Sequence, residues 1–455
     1  MHETLSFAET NKNMKWGKCM LKSVWSKQQQ VLEFEKLQGS IKTDVLIIGG
    51  GICGILCAYM LKKSGVDCVL VEADRVCSGV TGKTTAKITS QHGLIYEKIT
   101  KSVGKENAQI YLQANEAALQ KYRELAKEID CDFEEKDSFI YTITDREKIE
   151  REVRAVNDLG FHAEFVESIP LPLETEGAIK FPRQAQYNPM KFLNEIMKDL
   201  KIYEHTLIKD LAPHKAWSDS GEINAEKIIV ATHFPFLNKH GSYFLKLYQH
   251  RSYVIALENA EDVRGMYMDE KETGMSFRNY KNLLLIGGGS HRTGKSGGNW
   301  KELREFAAKN YPFAKERYAW GTQDCMSLDS IPYIGQYSKR TPDLYVASGF
   351  NKWGMTSSMV SAILLCDLIT ERKNEWKEVF SPSRSILKPQ LFLNGLEAVK
   401  NLLIPTTKRC PHLGCALKWN PIEHTWDCPC HGSRFQEDGK IISNPATGNV
   451  RSFSR

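Results

Sequence analysis

Apolar and polar positions alternate in several distinct ways along this 455-residue chain. The run Asp44-Val-Leu-Ile-Ile48 is continuously apolar after its first residue and ends in glycines, the pattern of a buried strand. Ile52 to Lys63 reads as a helix, and Val66 to Glu72 as a second strand. Strand, helix and strand in that order predict a βαβ opening and a parallel sheet. Residues 105–130 place apolar residues near helical spacing among good helix formers. Further strands are predicted at Ser138 to Thr144, Ile228 to Ala231, Ser252 to Leu257, Leu283 to Ile286 and Leu344 to Ala347. Further helices are predicted at 189–199, 299–309 and 355–371. This long alternating middle suits an enzyme with a substrate-covering α+β region inserted into a nucleotide-binding α/β fold.

The ends of the chain read differently. Residues 1–40 are polar and weakly patterned, an N-terminal arm whose Trp16 and Trp25 are candidates to pack on the body. Ser381-Pro-Ser-Arg-Ser385 has linker composition, and Leu391 to Ile404 has the spacing of a short amphipathic helix. Residues 405–455 gather four Cys, three His and five Pro. The expected division is therefore an arm at 1–40, a two-lobed body at 41–381, a linker with a helix at 382–404, and a small all-β domain at 405–455.

Composition narrows the class. The chain is 42% hydrophobic and 25% charged, ordinary globular usage that excludes disorder and collagen-like structure. The net charge of +6 comes from 61 basic and 55 acidic residues with no polybasic tract, so no nucleic-acid partner is expected. Residues 1–30 contain no apolar leader core. Val45 to Leu61 approaches the length of a membrane span, but four glycines interrupt it. No membrane span and a cytoplasmic location are the expectations. Of 12 Cys, eight are scattered over the first 366 residues and four fall between 410 and 430. That distribution points to a metal rather than to a disulfide framework.

Gly49-x-Gly51-x-x-Gly54 follows the first strand and opens the first helix, and Glu72 ends the second strand. The first glycine permits a tight turn, the second lets backbone approach a pyrophosphate, and the third lets helix and strand pack closely. The helix N-terminus then faces the phosphates, and a carboxylate at 72 suits ribose hydroxyls. The run 44–54, with Glu72 to Arg75 and Ser78-Gly79-Val-Thr-Gly82, resembles the FAD-dependent oxidoreductases of the D-amino-acid oxidase and glycine oxidase type. Glu204 to Ile208, Ile228 to His233 and Ala347 to Met355 resemble that family's later flavin contacts. The resemblance covers roughly residues 40–375. It implies FAD held by Gly49, Gly51, Gly54, Glu72, Ser78, Thr84, Thr85, Ile208, Thr232, Gly349, Gly354 and Met355. A helix N-terminus at Gly354-Met355 would stabilise the reduced ring. His92, Arg278 and Arg292 are the candidate catalytic residues; Lys87, Tyr253, Tyr280 and His291 are further polar groups available to the site.

Near the C-terminus, Cys410-x-His412, a 15-residue gap and Cys428-x-x-His431 form a second constellation. Two Cys and two His suit a tetrahedral zinc. They also match the pattern of a Rieske [2Fe-2S] cluster, in which the thiolates hold one iron and the imidazoles the other. Trp419-Asn420, Trp426-Asp427 and Pro445-Ala446 extend the resemblance to Rieske proteins beyond the ligands. It implies a bridge between Cys415 and Cys430. Two departures stand out. The segment before Cys410 is short and helical, so the base of the domain is trimmed and the flavin domain is expected to support it. High-potential Rieske proteins carry a Tyr two residues after the Ser of the second loop; this chain has Ser433 but Phe435.

The two constellations together, and the run Gly82 to Gly93, resemble a bacterial family of FAD-dependent, Rieske-containing oxidoreductases. The resemblance implies a dehydrogenase for an amine- or amino-acid-like small molecule, with an external electron acceptor. A flavin–cluster relay for a partner enzyme and a redox sensor remain as other readings. Arg or Tyr side chains would hold a substrate carboxylate.

Overall fold

The computed structural model describes residues 22–27 and 31–450. Val45 to Ile48 are buried, as expected of a strand covered on both faces of a parallel sheet. Strand Ile41–Ile48 lies between Cys68–Val71 and Glu222–Val230, parallel to both. In space the first sheet runs Tyr333–Gln336, Leu344–Ser348, Glu222–Val230, Ile41–Ile48, Cys68–Val71, Ile202–Tyr203. The outer Tyr333–Gln336 strand is antiparallel to its neighbour, and the short hairpin Asp210–Ala212/Lys215–Trp217 extends Glu222–Val230. Helices Ile52–Lys63 and Gly354–Ile369 pack against each other. Their N-termini, at Ile52 and Gly354, open onto the same cavity.

The second sheet is larger and mostly antiparallel. Its order is Lys315–Ser327, Leu247–Glu258, Leu283–Arg292, Ser276–Tyr280, Met266–Asp269, Glu134–Thr142, Gly177–Gln186, Lys87–Ile88. This is the α+β region inserted into the nucleotide-binding sheet. The strand expected at 138–144 runs instead over Glu134–Thr142. Its charged start, Glu134-Glu135-Lys136, is held by backbone pairing to Gln184–Gln186 rather than by apolar burial. Lys315–Ser327 and Gly177–Gln186 escape the apolar pattern because polar residues recur within strands held in register by backbone pairing.

The arm is partly integral to the body. Trp16 lies outside the described residues. Trp25 is buried and donates its indole N–H to the Thr84 carbonyl at 2.7 Å. Leu37 is buried, and its N–H donates to Thr206 Oγ1.

After the body, the chain forms a helix at Pro389–Leu403, the linker helix, and then a four-stranded antiparallel sheet. Its strands are Lys418–Asn420, Thr425–Asp427, Arg434–Phe435 and Ile441–Ser443. No described helix is long and apolar enough to cross a membrane.

Candidate active site and metal centre

The glycine turn is built by close backbone contact. Gly54 faces the Gly49 carbonyl so tightly that a Cβ there would lie 2.0 Å from the oxygen. Gly49 adopts φ +118 and abuts the Ala231 backbone, which only glycine tolerates. Glu72 accepts from the Gly50 N–H at 2.6 Å and the Asp74 N–H at 3.0 Å. Burial first, against those two amide bonds, raises its pKa. A cavity of about 1230 Å³ opens over this turn. Its size suits a dinucleotide, and both the glycine turn and the second helix N-terminus are in its lining.

Most of the expected cofactor contacts line the cavity: Gly49, Gly51, Glu72, Ser78, Thr84, Thr85, Ile208, Thr232, Gly354 and Met355. Gly54 and Gly349 stand behind it. Gly54 sets the helix against the strand, and Gly349, at φ +72, packs on Leu247, Ser327 and Tyr333.

The three expected catalytic residues separate. His92 reaches the cavity but is buried. Its Nδ1 meets the Tyr111 hydroxyl at 2.6 Å, its Nε2 meets Thr356 Oγ1 at 2.9 Å, and its ring stacks on Trp353. Burial pushes its pKa down to about 3, so it is a neutral ring holding Trp353 and the second helix in place. Arg278 does not line the cavity. It is fully buried, donates to the Ala86 carbonyl at 2.9 Å and sits between the Trp25 and Tyr280 rings. Arg292 turns the other way, toward the C-terminal domain. It donates to the carbonyls of Pro429 and Cys430, each at 3.1 Å, and to Asn394 Oδ1. An Arg on a polar strand end gives no sign in sequence of which partner it will meet.

Other groups take their places at the cavity. Lys352 Nζ lies 2.9 Å from the Glu272 carbonyl oxygen, and burial lowers its pKa against the pull of Asp324 and Glu272. Asp324 is raised by burial, opposed by Lys352 and Arg251. Lys87 is pushed down to about 7 by burial and then by Arg278. His233, with φ +67, is pushed down to about 4 by burial, and its Nε2 is buried without a partner among the described residues. All four line the cavity. Lys87 is among the polar groups the sequence makes available to the site. Lys352 lies inside the closing turn motif, where its neighbours drew attention and it did not.

The C-terminal domain presents the second centre. Cys410 and Cys428 are buried in one small core with Cys415 and Cys430. Their mutual contacts lower the Cys428 thiol and raise those of Cys410, Cys415 and Cys430. The rings of His412 and His431 stand nearly perpendicular, 4.9 Å apart. Burial lowers both pKa values, that of His412 to about 4. Each Nδ1 is buried without a hydrogen-bond partner among the described residues. A buried unpartnered nitrogen is costly, and two of them beside two thiols fit an iron–sulfur cluster held by Cys410, Cys428, His412 and His431. The His412 Nε2 is fixed at 2.9 Å from Asn238 Oδ1 of the flavin body, the outer contact that orients a ligand ring. The Sγ atoms of Cys415 and Cys430, the pair implied to form a bridge, lie within 4.8 Å of each other and of that of Cys428.

The two centres share a wall. Gln249 donates to the His431 carbonyl at 2.8 Å and to the Asn444 carbonyl at 3.2 Å. Gln323 donates to the Gly432 carbonyl at 2.8 Å. Gly432, at φ +86, leaves room for Gln249, whose Cβ would lie 2.6 Å from any side chain there. Asn444 donates to the carbonyls of Thr232 and Phe234. Arg434, Asn444 and Ala446 of the C-terminal domain line the flavin cavity itself. Beneath them, Glu423 is gripped by Arg251, Arg434 and the Tyr253 hydroxyl.

Comparison with known proteins agrees with both centres. The family model for FAD dependent oxidoreductases matches residues 44–368, and the Rieske [2Fe-2S] domain matches residues 389–454. The chain is 34% identical to a Rieske 2Fe-2S iron-sulfur protein, YhfW, of Bacillus subtilis, over 95% of this chain and 98% of that one. Among solved structures, L-proline dehydrogenase from P. horikoshii superposes with a TM-score of 0.65 at 18% identity, covering 76% of this chain and 98% of that one. Glycine oxidase from Geobacillus kaustophilus gives 0.64 at 20% identity, covering 76% and 99%. The chain belongs to the FAD-dependent oxidoreductase family, and it carries a C-terminal Rieske [2Fe-2S] domain.

Proposed function

We propose that this protein is a dehydrogenase for an amine- or amino-acid-like small molecule, delivering electrons by way of its Rieske domain to an external acceptor. FAD supplies hydride acceptance from a C–H bond, and a [2Fe-2S] cluster supplies one-electron transfer. The observation that carries the reading is the shared wall. His233 and Gln249 line the flavin cavity, and Gln249 is hydrogen-bonded to the carbonyl of His431, a ligand position of the cluster. An enzyme that gives its electrons directly to oxygen has no need of a second centre built into the wall of its first.

The groups around the cavity support the substrate class. Lys352 offers an ammonium for a carboxylate, and Asp324 and Glu272 offer carboxylates for an amine. Lys87, near neutrality at pH 7, is suited to take a proton from a substrate ammonium. The solved relatives named for proline and glycine are oxidoreductases of small amino acids by their names, and that class is taken over here as part of the proposal.

The test is anaerobic addition of amines and amino acids to the holoprotein, with flavin absorbance and cluster EPR followed together. Bleaching of the flavin accompanied by a reduced-cluster signal is the expected result. Reduction by NAD(P)H or a reduced protein, with no response to any amine or amino acid, would assign the protein to a relay instead.

A further inference from the structure

The linker helix Pro389–Leu403 is amphipathic the wrong way round. Its polar side faces the protein: Asn401 is 1% exposed and Asn394 7%. Its apolar side faces outward, with Phe392 at 66%, Leu396 at 70% and Leu403 at 77%. An ordinary surface helix does the reverse. The inward polar side is largely bonded, with Asn394 Nδ2 the exception among the described residues. Asn394 accepts from Arg292, Asn401 donates to Glu397, and Glu397 pairs with Lys295. The inversion is therefore built into the packing, and isolated exposed leucines would not produce it.

We infer that this helix seats the protein on an anionic lipid surface, lying flat in the headgroup region with its apolar side down. Charge selects the occupant. Residues 382–420 contain six basic residues and one acidic residue, Glu397, which is turned inward onto Lys295. Arg384 is taken by Asp329, and the segment's other basic residues, Lys388, Lys400 and Lys418 among them, meet no acidic residue of the segment facing outward. A second copy of the chain would set like charges against like. Shape agrees: the outward side is one convex helix of about 22 Å, which suits insertion into an interface better than docking into a groove. The C-terminal end of the helix abuts the first cluster loop. Asn401 accepts the Ala416 N–H on its carbonyl at 3.0 Å, and Arg409 ties the Leu402 and Gly414 carbonyls together. Leu413 of that loop is also exposed, and because the loop is tied to the end of the helix, seating the helix brings the first cluster loop near the lipid.

Vesicle flotation of the holoprotein tests this with two compositions, phosphatidylglycerol mixed with phosphatidylcholine, and phosphatidylcholine alone. The chain should float with the anionic vesicles about tenfold more than with the neutral ones, and less at high salt. The triple variant F392S/L396S/V399S should lose about tenfold or more while keeping its flavin and cluster absorption. The variant K388E/K400E should lose the preference for anionic lipid. Failure of the parent protein to float with anionic vesicles would overturn the proposal, as would unchanged flotation of the triple variant. A dimer in light scattering that the triple variant converts to monomer would assign the face to a second copy and overturn it equally.

Discussion

The flavin site and the cluster site are held by different parts of the chain. The flavin cradle is made of backbone: a glycine turn, two helix N-termini and strands buried on both faces. The cluster site is made of side chains, two sulfurs and two imidazole nitrogens on loops of a domain whose strands are two or three residues long. The first is stable in its own core. The second leans on its ligands and on the flavin body through Gln249, Gln323, Arg292 and Glu423. A backbone site should fail when a side chain is added, and a side-chain site when one is taken away.

The largest effect follows from removal. Cys428→Ala should abolish iron binding and all cluster EPR signal while FAD stays bound, and metal loss should loosen a domain so dependent on its ligands. Iron analysis beside the flavin spectrum checks this. Loss of both cofactors together would break the contrast between the centres.

Next comes the seam. Glu423 is almost fully buried between Arg251 and Arg434. Burial alone would raise its pKa, but the two guanidiniums outweigh burial and hold it at about 2. Glu423→Gln leaves buried Arg251 without its anion, while Arg434 keeps Asp427, a loss of about 3 kcal/mol. The early step of thermal unfolding, followed by cluster absorbance, should move down well ahead of flavin release. The same ion group makes the seam sensitive to acid. A carboxylate depressed from 4.5 stabilises fully above that pH and loses its contribution as pH falls from about 4.5 toward 2. Acid should therefore release the cluster domain in that window.

Gly54→Val tests the backbone site by addition. The new side chain meets the Gly49 carbonyl, and the forced shift should cost about 1–3 kcal/mol, or roughly ten- to a hundredfold in FAD affinity. Flavin released on dilution measures it; iron content should hold.

The same contrast explains what the sequence disclosed. Gly49, Gly51, Gly54 and Glu72 were legible because backbone approach leaves few residue choices, and Cys410, His412, Cys428 and His431 because metal chemistry leaves few. Arg278 and Arg292 were not, since a long flexible cation pairs with whatever the tertiary fold brings near. Arg292 found the Pro429 and Cys430 carbonyls across 137 and 138 residues of chain. Lys352 and Asp324 were hidden because their meaning is mutual: each is unremarkable until the fold sets them around one cavity. The docking of the two domains was anticipated only as support for a shortened domain. Gln249, Gln323 and Asn444, which carry it, are ordinary amides in sequence.

Lys87 gives a smaller, pH-dependent effect. Its pKa is lowered from 10.5 to about 7 by burial and then by Arg278. The unfolded chain therefore holds more protons between these values, and the stability cost of burying Lys87 fades as pH rises from 7 to 10.5. In the proposed reaction the neutral amine is the working form, so the rate of flavin reduction should rise through pH 7. Lys87→Met should flatten that rise, as stopped-flow reduction across pH 6–9 would reveal.

The smallest effect probes the sulfurs directly. Phe435 is fully buried in one cluster with Cys410, Cys415, Cys428 and Cys430. Ser433 of the same loop lowers the Cys410 thiol and accepts the Ala446 N–H at 3.0 Å. A phenol at 435 would bring a second hydroxyl among these sulfurs, and a donor to a ligand sulfur stabilises the more negative, reduced cluster. One such bond, at about 1 kcal/mol, corresponds to roughly 40 mV for a one-electron centre. Phe435→Tyr should therefore raise the cluster potential by about that amount and leave the flavin potential where it is. A spectroelectrochemical titration of both centres in one sample decides it. An unchanged or lower cluster potential would mean that the ring points its para position away from the ligands. A shift shared by the flavin would mean that the two sites are not as separately built as their construction from backbone and from side chains implies.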